Sequence, residues 1–93
     1  MLRDIELITV TPQVRAERGI VSEQGALITG ISEELSARLG LVPGDVIIGL
    51  DRKLVSSAEE LAALFDSLTG TGRVALHFER NGRYNMRQFN WRR

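Results

Sequence analysis

Cysteine is absent from this chain of 93 residues, which removes a disulfide framework, a thiolate metal site and a thiol nucleophile together. The compartment stays open, because a cysteine-free domain tolerates an oxidising space without requiring one. No apolar run exceeds about five residues, far below the roughly 20 that cross a bilayer, and no charged segment followed by an apolar one opens the chain as a leader would. The expectation is a soluble, untargeted chain. At this length it forms one domain, residues 1–93, with a core worth about 5–10 kcal/mol net and no room for a deep catalytic cleft.

Groups for chemistry are equally scarce. His77 is the only histidine, and it sits within the strand-like run Val74-Ala75-Leu76-His77-Phe78, where a structural or solvated role is expected rather than that of a general base. Neither a Gly-x-Ser-x-Gly elbow nor a Ser-x-x-Lys is present. Gly70 and Gly72 precede no Lys-Ser/Thr pair, so they read as the approach to a hairpin and not as a phosphate loop. The pairs Glu33-Glu34 and Glu59-Glu60 open helices, where carboxylates favour the helix dipole. The expectation is no catalytic residue, no metal site and no cofactor.

Net charge is zero, but it is unevenly spread. Residues 1–72 hold six basic and eleven acidic side chains, and residues 73–93 hold six and one. Arg80, Arg83, Arg87, Arg92 and Arg93 interleave with Tyr84, Phe89 and Trp91, a pattern that brings nucleic acid into consideration. A terminal strand with alternating solvated arginines accounts for the same residues, and no nucleic-acid partner is expected.

What is present is punctuation. Asp4 to Val10 alternates as a half-buried strand, with Ile5 and Leu7 on one face and Glu6 and Ile8 on the other. Thr11 and Pro12 open a helix as N-cap and first residue, and Gly19 ends it. Ala26 to Ile31 is a second strand. Ser32-Glu33-Glu34 starts a helix that stops at Gly40. In Leu41-Val42-Pro43-Gly44-Asp45, proline and glycine suit the two central positions of a type II turn, and Asp45 is placed to tie the turn's amides. Val46 to Leu50 follows as a strand apolar throughout, hence buried on both faces. Ser57-Ala58-Glu59-Glu60 is a capping box for a helix to about Leu68. Val74 to Arg80 and Tyr84 to Phe89 form a hairpin around Asn81-Gly82.

The helix from Ala58 points to a binding surface. Its apolar residues Ala58, Leu61, Ala62, Leu64, Phe65 and Leu68 span roughly 160°, wider than the ~100° stripe that seats a helix on one sheet. Ala58 and Ala62 lie at one margin beside Phe65, a geometry suited to a groove.

From Ile5 to about Phe89 the order of elements resembles the permuted PDZ domain of bacterial HtrA-type (Deg) serine proteases, most of all their second PDZ copy. The residues that carry the likeness are Val10-Thr11-Pro12-Gln13-Val14 with Arg18-Gly19-Ile20, then Gly25-Ala26-Leu27-Ile28-Thr29 and Gly40-Leu41-Val42-Pro43-Gly44-Asp45-Val46-Ile47. Val55-Ser56-Ser57 before Leu61, and Arg80-Asn81-Gly82, complete them. The resemblance implies an α+β, mainly β fold: a PDZ-like, five-stranded, partly open barrel with two or three short helices. It further implies a module that is itself no enzyme, excised from a serine endopeptidase of the bacterial periplasm or cell envelope.

By the same resemblance, extended or C-terminal segments of other proteins add a strand beside Ile5, Glu6, Leu7, Ile8 and Thr9, with side chains against Ala58, Ala62 and Phe65. Substrate recruitment or protease regulation would follow, with the other domains of its own protease as further partners and any membrane contact only through the parent. The alternatives are a PDZ module of an intramembrane metalloprotease, a C-terminal processing protease or a secretion component, or a subunit-assembly domain without a peptide ligand. Two departures stand out. Ser32-Glu33-Glu34-Leu35-Ser36-Ala37 replaces the family's Pro-Gly-Ser-Pro-Ala. The carboxylate-binding loop, matched here by Leu2-Arg3-Asp4-Ile5, carries Asp4 where the family has glycine, and a carboxylate there repels an incoming one, with Arg3 as a partial offset.

Overall fold

The structure, a computed structural model, describes residues 4–68 and 71–92, without the side chains of Thr71, Trp91 and Arg92. Arg3 and Gly70, both read above from sequence, lie outside the described residues, as do the side chains that end the basic segment.

Among the described residues nine elements follow one another: β1 (Ile5–Thr9), α1 (Pro12–Arg18), β2 (Ala26–Ile31), α2 (Glu33–Leu39), β3 (Val46–Leu50), β4 (Lys53–Leu54), α3 (Ala58–Ser67), β5 (Thr71–Arg80) and β6 (Arg83–Arg92). The strands make one antiparallel, unclosed sheet in the order β1-β2-β3-β5-β6, and β4 pairs with β3 off that path. The five strands expected are all present. β4 is an addition that the sequence conceals, because Asp51 makes the turn at φ 55°, a left-handed conformation that needs no glycine.

Local rules explain the helix ends. Thr11, Ser32 and Ser57 each accept a backbone N–H three residues on, and Gly19 and Gly40 close α1 and α2 in left-handed conformation. One detail departs from expectation. The Glu60 carboxylate does not return to the N-cap amide of Ser57 but takes the amide of Ser56 at 2.9 Å, one residue earlier. The β5–β6 hairpin turns through Asn81 at φ 55° and Gly82 at φ 77°, the two positive angles of a type I′ turn. Its strands run three residues beyond Val74 and Phe89 at the open end, because the ladder continues to Thr71↔Arg92.

Two apolar layers flank the sheet. On one face Ile5, Ala26, Ile28, Ile47, Leu50, Leu76 and Phe78 meet Leu35 and Leu39 of α2 and Leu61 and Phe65 of α3. On the other, Val10, Ile20, Leu27 and Val46 form a smaller cluster. β3 contributes to both, so its unbroken apolar run does reflect burial on two sides. Gly25 enters β2 at φ 146°, where a Cβ would stand 2.7 Å from the Ile47 carbonyl oxygen, so no larger residue fits without moving backbone.

Candidate functional site

Among the described residues β1 is an end strand of the sheet and pairs only with β2. The Val10 amide donates to Gly25 O and the Ser32 amide to Asp4 O, so residues 4 and 10 turn their hydrogen-bonding groups toward β2. Antiparallel ladders alternate. The groups of Ile5, Leu7 and Thr9 therefore face the outer edge, a row able to accept one more strand.

α3 stands beyond that edge. Its N-terminus is tied to β1 by Thr9, whose Oγ1 accepts the Ala58 amide at 2.9 Å and lies 3.4 Å from the Glu59 carboxylate. Leu7 and Ala58 are partly buried against the main core, and Ala62 is half-buried. These three make an apolar wall beside the open edge. Glu6 and Ile8 take the opposite, exposed side, with the Glu6 carboxylate lying over Gly30.

The wide apolar arc of α3 is now accounted for. Its centre, Leu61 and Phe65, is core, at 0% and 3% exposure. The helical period puts Phe65 at the groove margin, whereas its side chain lies in the core, because a helical wheel reports direction and not depth. The Ala58–Ala62 margin adjoins β1. The other margin, Leu64 and Leu68, lines a separate concavity of about 600 Å³ with Leu50, Arg52, Lys53 and Arg73. That hollow and a smaller, mostly apolar one of about 260 Å³ beside His77 and Tyr84 both lie around the β3–β4 turn and do not touch β1.

Asp4 is exposed and stands at the entrance to β1. Its backbone carbonyl accepts the Ser32 amide, which holds residue 4, and with it a carboxylate, at the head of the edge. His77 shares a hydrogen bond with the Tyr84 hydroxyl at 2.6 Å through Nδ1 and meets the Asp51 carbonyl at 3.0 Å through Nε2, so both its nitrogens have partners within the domain.

Two acidic side chains hold loops through contacts that no local sequence pattern marks. Asp45 does tie its turn, accepting the Val42 amide at 3.0 Å, yet it is also clamped by Arg80. Glu79 is 6% exposed and accepts the amides of Val21 and Ser22 and the Ser22 hydroxyl. Burial pushes its carboxyl upward, but the Ser22 hydroxyl, those two amides and the charge of Arg15 together outweigh it and hold the group below its ordinary value. Both carboxylates are fully occupied in holding loops. Among the described residues no cluster of three acidic or histidine side chains is placed to hold a metal ion.

The sheet is antiparallel and unclosed, and α3 stands beside its β1 edge with an apolar margin facing that edge. The fold is that of a PDZ domain of the HtrA type. No family model and no curated protein matches the sequence. Among solved structures, the HtrA3 PDZ domain bound to a phage-derived ligand (FGRWV) superimposes with a TM-score of 0.74 at 19% identity, over 89% of this chain and 76% of that one. The HtrA-type protease AlgW with a decapeptide gives 0.76 at 24% identity over 92% of this chain, and AlgW with a tripeptide gives 0.73 at 23% over 92%. This chain spans 27% and 29% of those two protease chains.

Proposed function

We propose that this chain is a peptide-binding module in which an extended peptide adds an antiparallel strand to the outer edge of β1. The observation that carries the reading is the coincidence of outward-facing backbone groups at Ile5, Leu7 and Thr9 with the half-buried wall of Leu7, Ala58 and Ala62. Backbone pairing supplies sequence-independent attraction, and alternate side chains of the peptide fall against the wall. The peptides present with its structural neighbours support a peptide as the ligand. So small a groove buries little surface, and affinity in the micromolar range, about −8 kcal/mol, is expected.

By the same likeness the module serves a serine endopeptidase of the bacterial cell envelope, recruiting substrate or relaying peptide binding to the protease. Terminal carboxylates or internal segments of unfolded proteins are its ligands, and the other domains of the protease its neighbours. Nitrogen-15 amide shifts during titration with an apolar pentapeptide test the binding mode: they should concentrate on Ile5–Thr9 and on α3. Shifts that avoid both would overturn it.

A further inference from the structure

The sheet has a second end. β6 closes the strand path opposite β1 and, among the described residues, pairs with β5 alone. Asp51 reveals which of its backbone groups are spare. The Ala75 amide donates to Asp51 Oδ1 at 2.9 Å, and the Ala75 carbonyl accepts the Asp51 amide at 2.7 Å, so Ala75 turns its hydrogen-bonding groups away from β6. Its register partner there is Gln88. Bonded and non-bonded pairs alternate along an antiparallel ladder, so the backbone groups of Gln88, and with it Tyr84, Met86 and Asn90, point out of the sheet. Those groups meet no partner among the described residues. The row runs for about 20 Å at about 6.8 Å per two residues, enough for a segment of about seven residues.

The two faces of β6 differ in chemistry. Phe89 packs on the main core, and the Arg87 guanidinium on the same face lies against Gly40 at the end of α2. Arg83 and Asn85 share that face by the two-residue alternation of a strand. Neither arginine has an acidic partner among the described residues, and positions 80–93 contain no aspartate or glutamate. On the opposite face Tyr84 and Met86 are large apolar side chains left exposed, and Tyr84 lines the smaller hollow with Leu54. A second copy of the chain fits this edge poorly. It would bring Arg83 and Arg87 of both strands along one seam without a carboxylate, and like charges across strands destabilise. A phosphate backbone would meet the cations but leave the outward carbonyls unpaired.

We propose that the outer edge of β6 is a second strand-accepting surface, whose occupant is an extended acidic segment of a partner protein. Aspartate or glutamate lies on the face of Arg83 and Arg87, and apolar residues alternate with them on the face of Tyr84 and Met86. The arginines then act twice: they bar the edge to another copy, and they select an acidic strand. The surface is at the far end of the sheet from β1 and does not depend on the binding mode proposed above.

The probe is an eight-residue peptide alternating glutamate and valine, blocked at both ends and titrated at low salt into the nitrogen-15-labelled chain. Amide exchange should slow at Tyr84, Met86, Gln88 and Asn90 and stay unchanged at Arg83, Asn85, Arg87 and Phe89, whose amides already serve the ladder. Lysine for glutamate in the peptide should weaken binding at least tenfold, as should Arg83→Gln combined with Arg87→Gln in the protein. Met86→Pro deletes one outward amide without removing a ladder bond and should abolish binding to the folded chain. Protection that appears on Ile5, Leu7 and Thr9 instead would overturn this inference and leave the β1 reading standing. Protection of the β6 row without peptide, rising with protein concentration, would make the occupant a second copy and overturn the acidic partner. So would a single-stranded oligonucleotide of equal charge that binds as tightly as the peptide. Absence of acidic-peptide binding to the folded wild type would overturn the surface itself.

Discussion

Arg80 grips Asp45 in parallel, Nε to Oδ1 at 2.8 Å and Nη2 to Oδ2 at 2.7 Å. The two residues close different parts of the chain. Asp45 ends the Pro43-Gly44 turn before β3, Arg80 ends β5, and Nη2 also reaches the Gly40 carbonyl at the end of α2. Asp45 is 1% exposed and the Arg80 side chain 35%, and this asymmetry decides which partner is harder to lose.

Removing Arg80 strands a buried carboxylate, whereas removing Asp45 leaves a guanidinium that can turn to water. Arg80→Met should lower unfolding free energy by about 3 kcal/mol, and Asp45→Asn by clearly less. Arg80→Lys should rescue only part, since an ammonium cannot reproduce the fork. Urea midpoints at constant slope measure all three, and equal losses for Arg80→Met and Asp45→Asn would contradict the argument.

Acid should reach Glu79 only after it has protonated ordinary carboxylates. Its folded pKa is depressed, so the stability it contributes is fully present above the unfolded value of about 4.5 and is lost as pH falls through the lower folded value. Glu79→Gln should therefore flatten the acid limb of the stability curve. At pH 7 it should cost about 1–3 kcal/mol, because an amide oxygen cannot serve three donors as a carboxylate does. Urea denaturation between pH 3 and 7 reads both effects, and a variant whose acid limb matches the wild type would exclude Glu79 as its source.

Ala62 and Phe65 should separate binding from stability. Phe65→Ala removes a core ring and should cost about 3–5 kcal/mol of folding free energy. Ala62→Glu places a charge on the half-buried wall and should leave melting nearly unchanged, while weakening peptide binding by about 2 kcal/mol or more. Thermal melts and calorimetric titrations of the same two variants provide the comparison.

Asp4 should make the domain indifferent to a free C-terminus. C-terminally amidated peptides are expected to bind as well as free acids, and Asp4→Gly should restore a preference for the acid of about 1 kcal/mol. That preference should fade as salt rises. A clear preference of the wild type for the acid form would show that the loop accepts a carboxylate despite Asp4.

Legibility in the sequence followed the range of the forces involved. The caps Thr11, Ser32 and Ser57, the Pro43-Gly44 turn and the Asn81-Gly82 hairpin obey rules spanning three or four residues, and each stands where those rules put it. Contacts that join distant segments left no local mark. Asp45 and Arg80 are 35 residues apart, Thr9 and Ala58 are 49, and Glu79 meets Ser22 across 57. Phe65 shows an intermediate case. Its side of α3 was readable from the period, but its depth depended on how closely the helix approaches the sheet, which no spacing within the helix encodes.

Among the described residues β1 pairs with β2 alone, and this couples occupancy of its free edge to folding. A peptide that adds a strand gives β1 a second neighbour, so it stabilises the native state by mass action, by about 2.7 kcal/mol at a hundredfold excess over Kd. The amides of Ile5, Leu7 and Thr9 then change from freely exchanging with solvent to protected. Binding is thereby recorded in the protein's own exchange pattern, one residue in two along a single strand, and a ligand seated anywhere else would leave that alternation untouched.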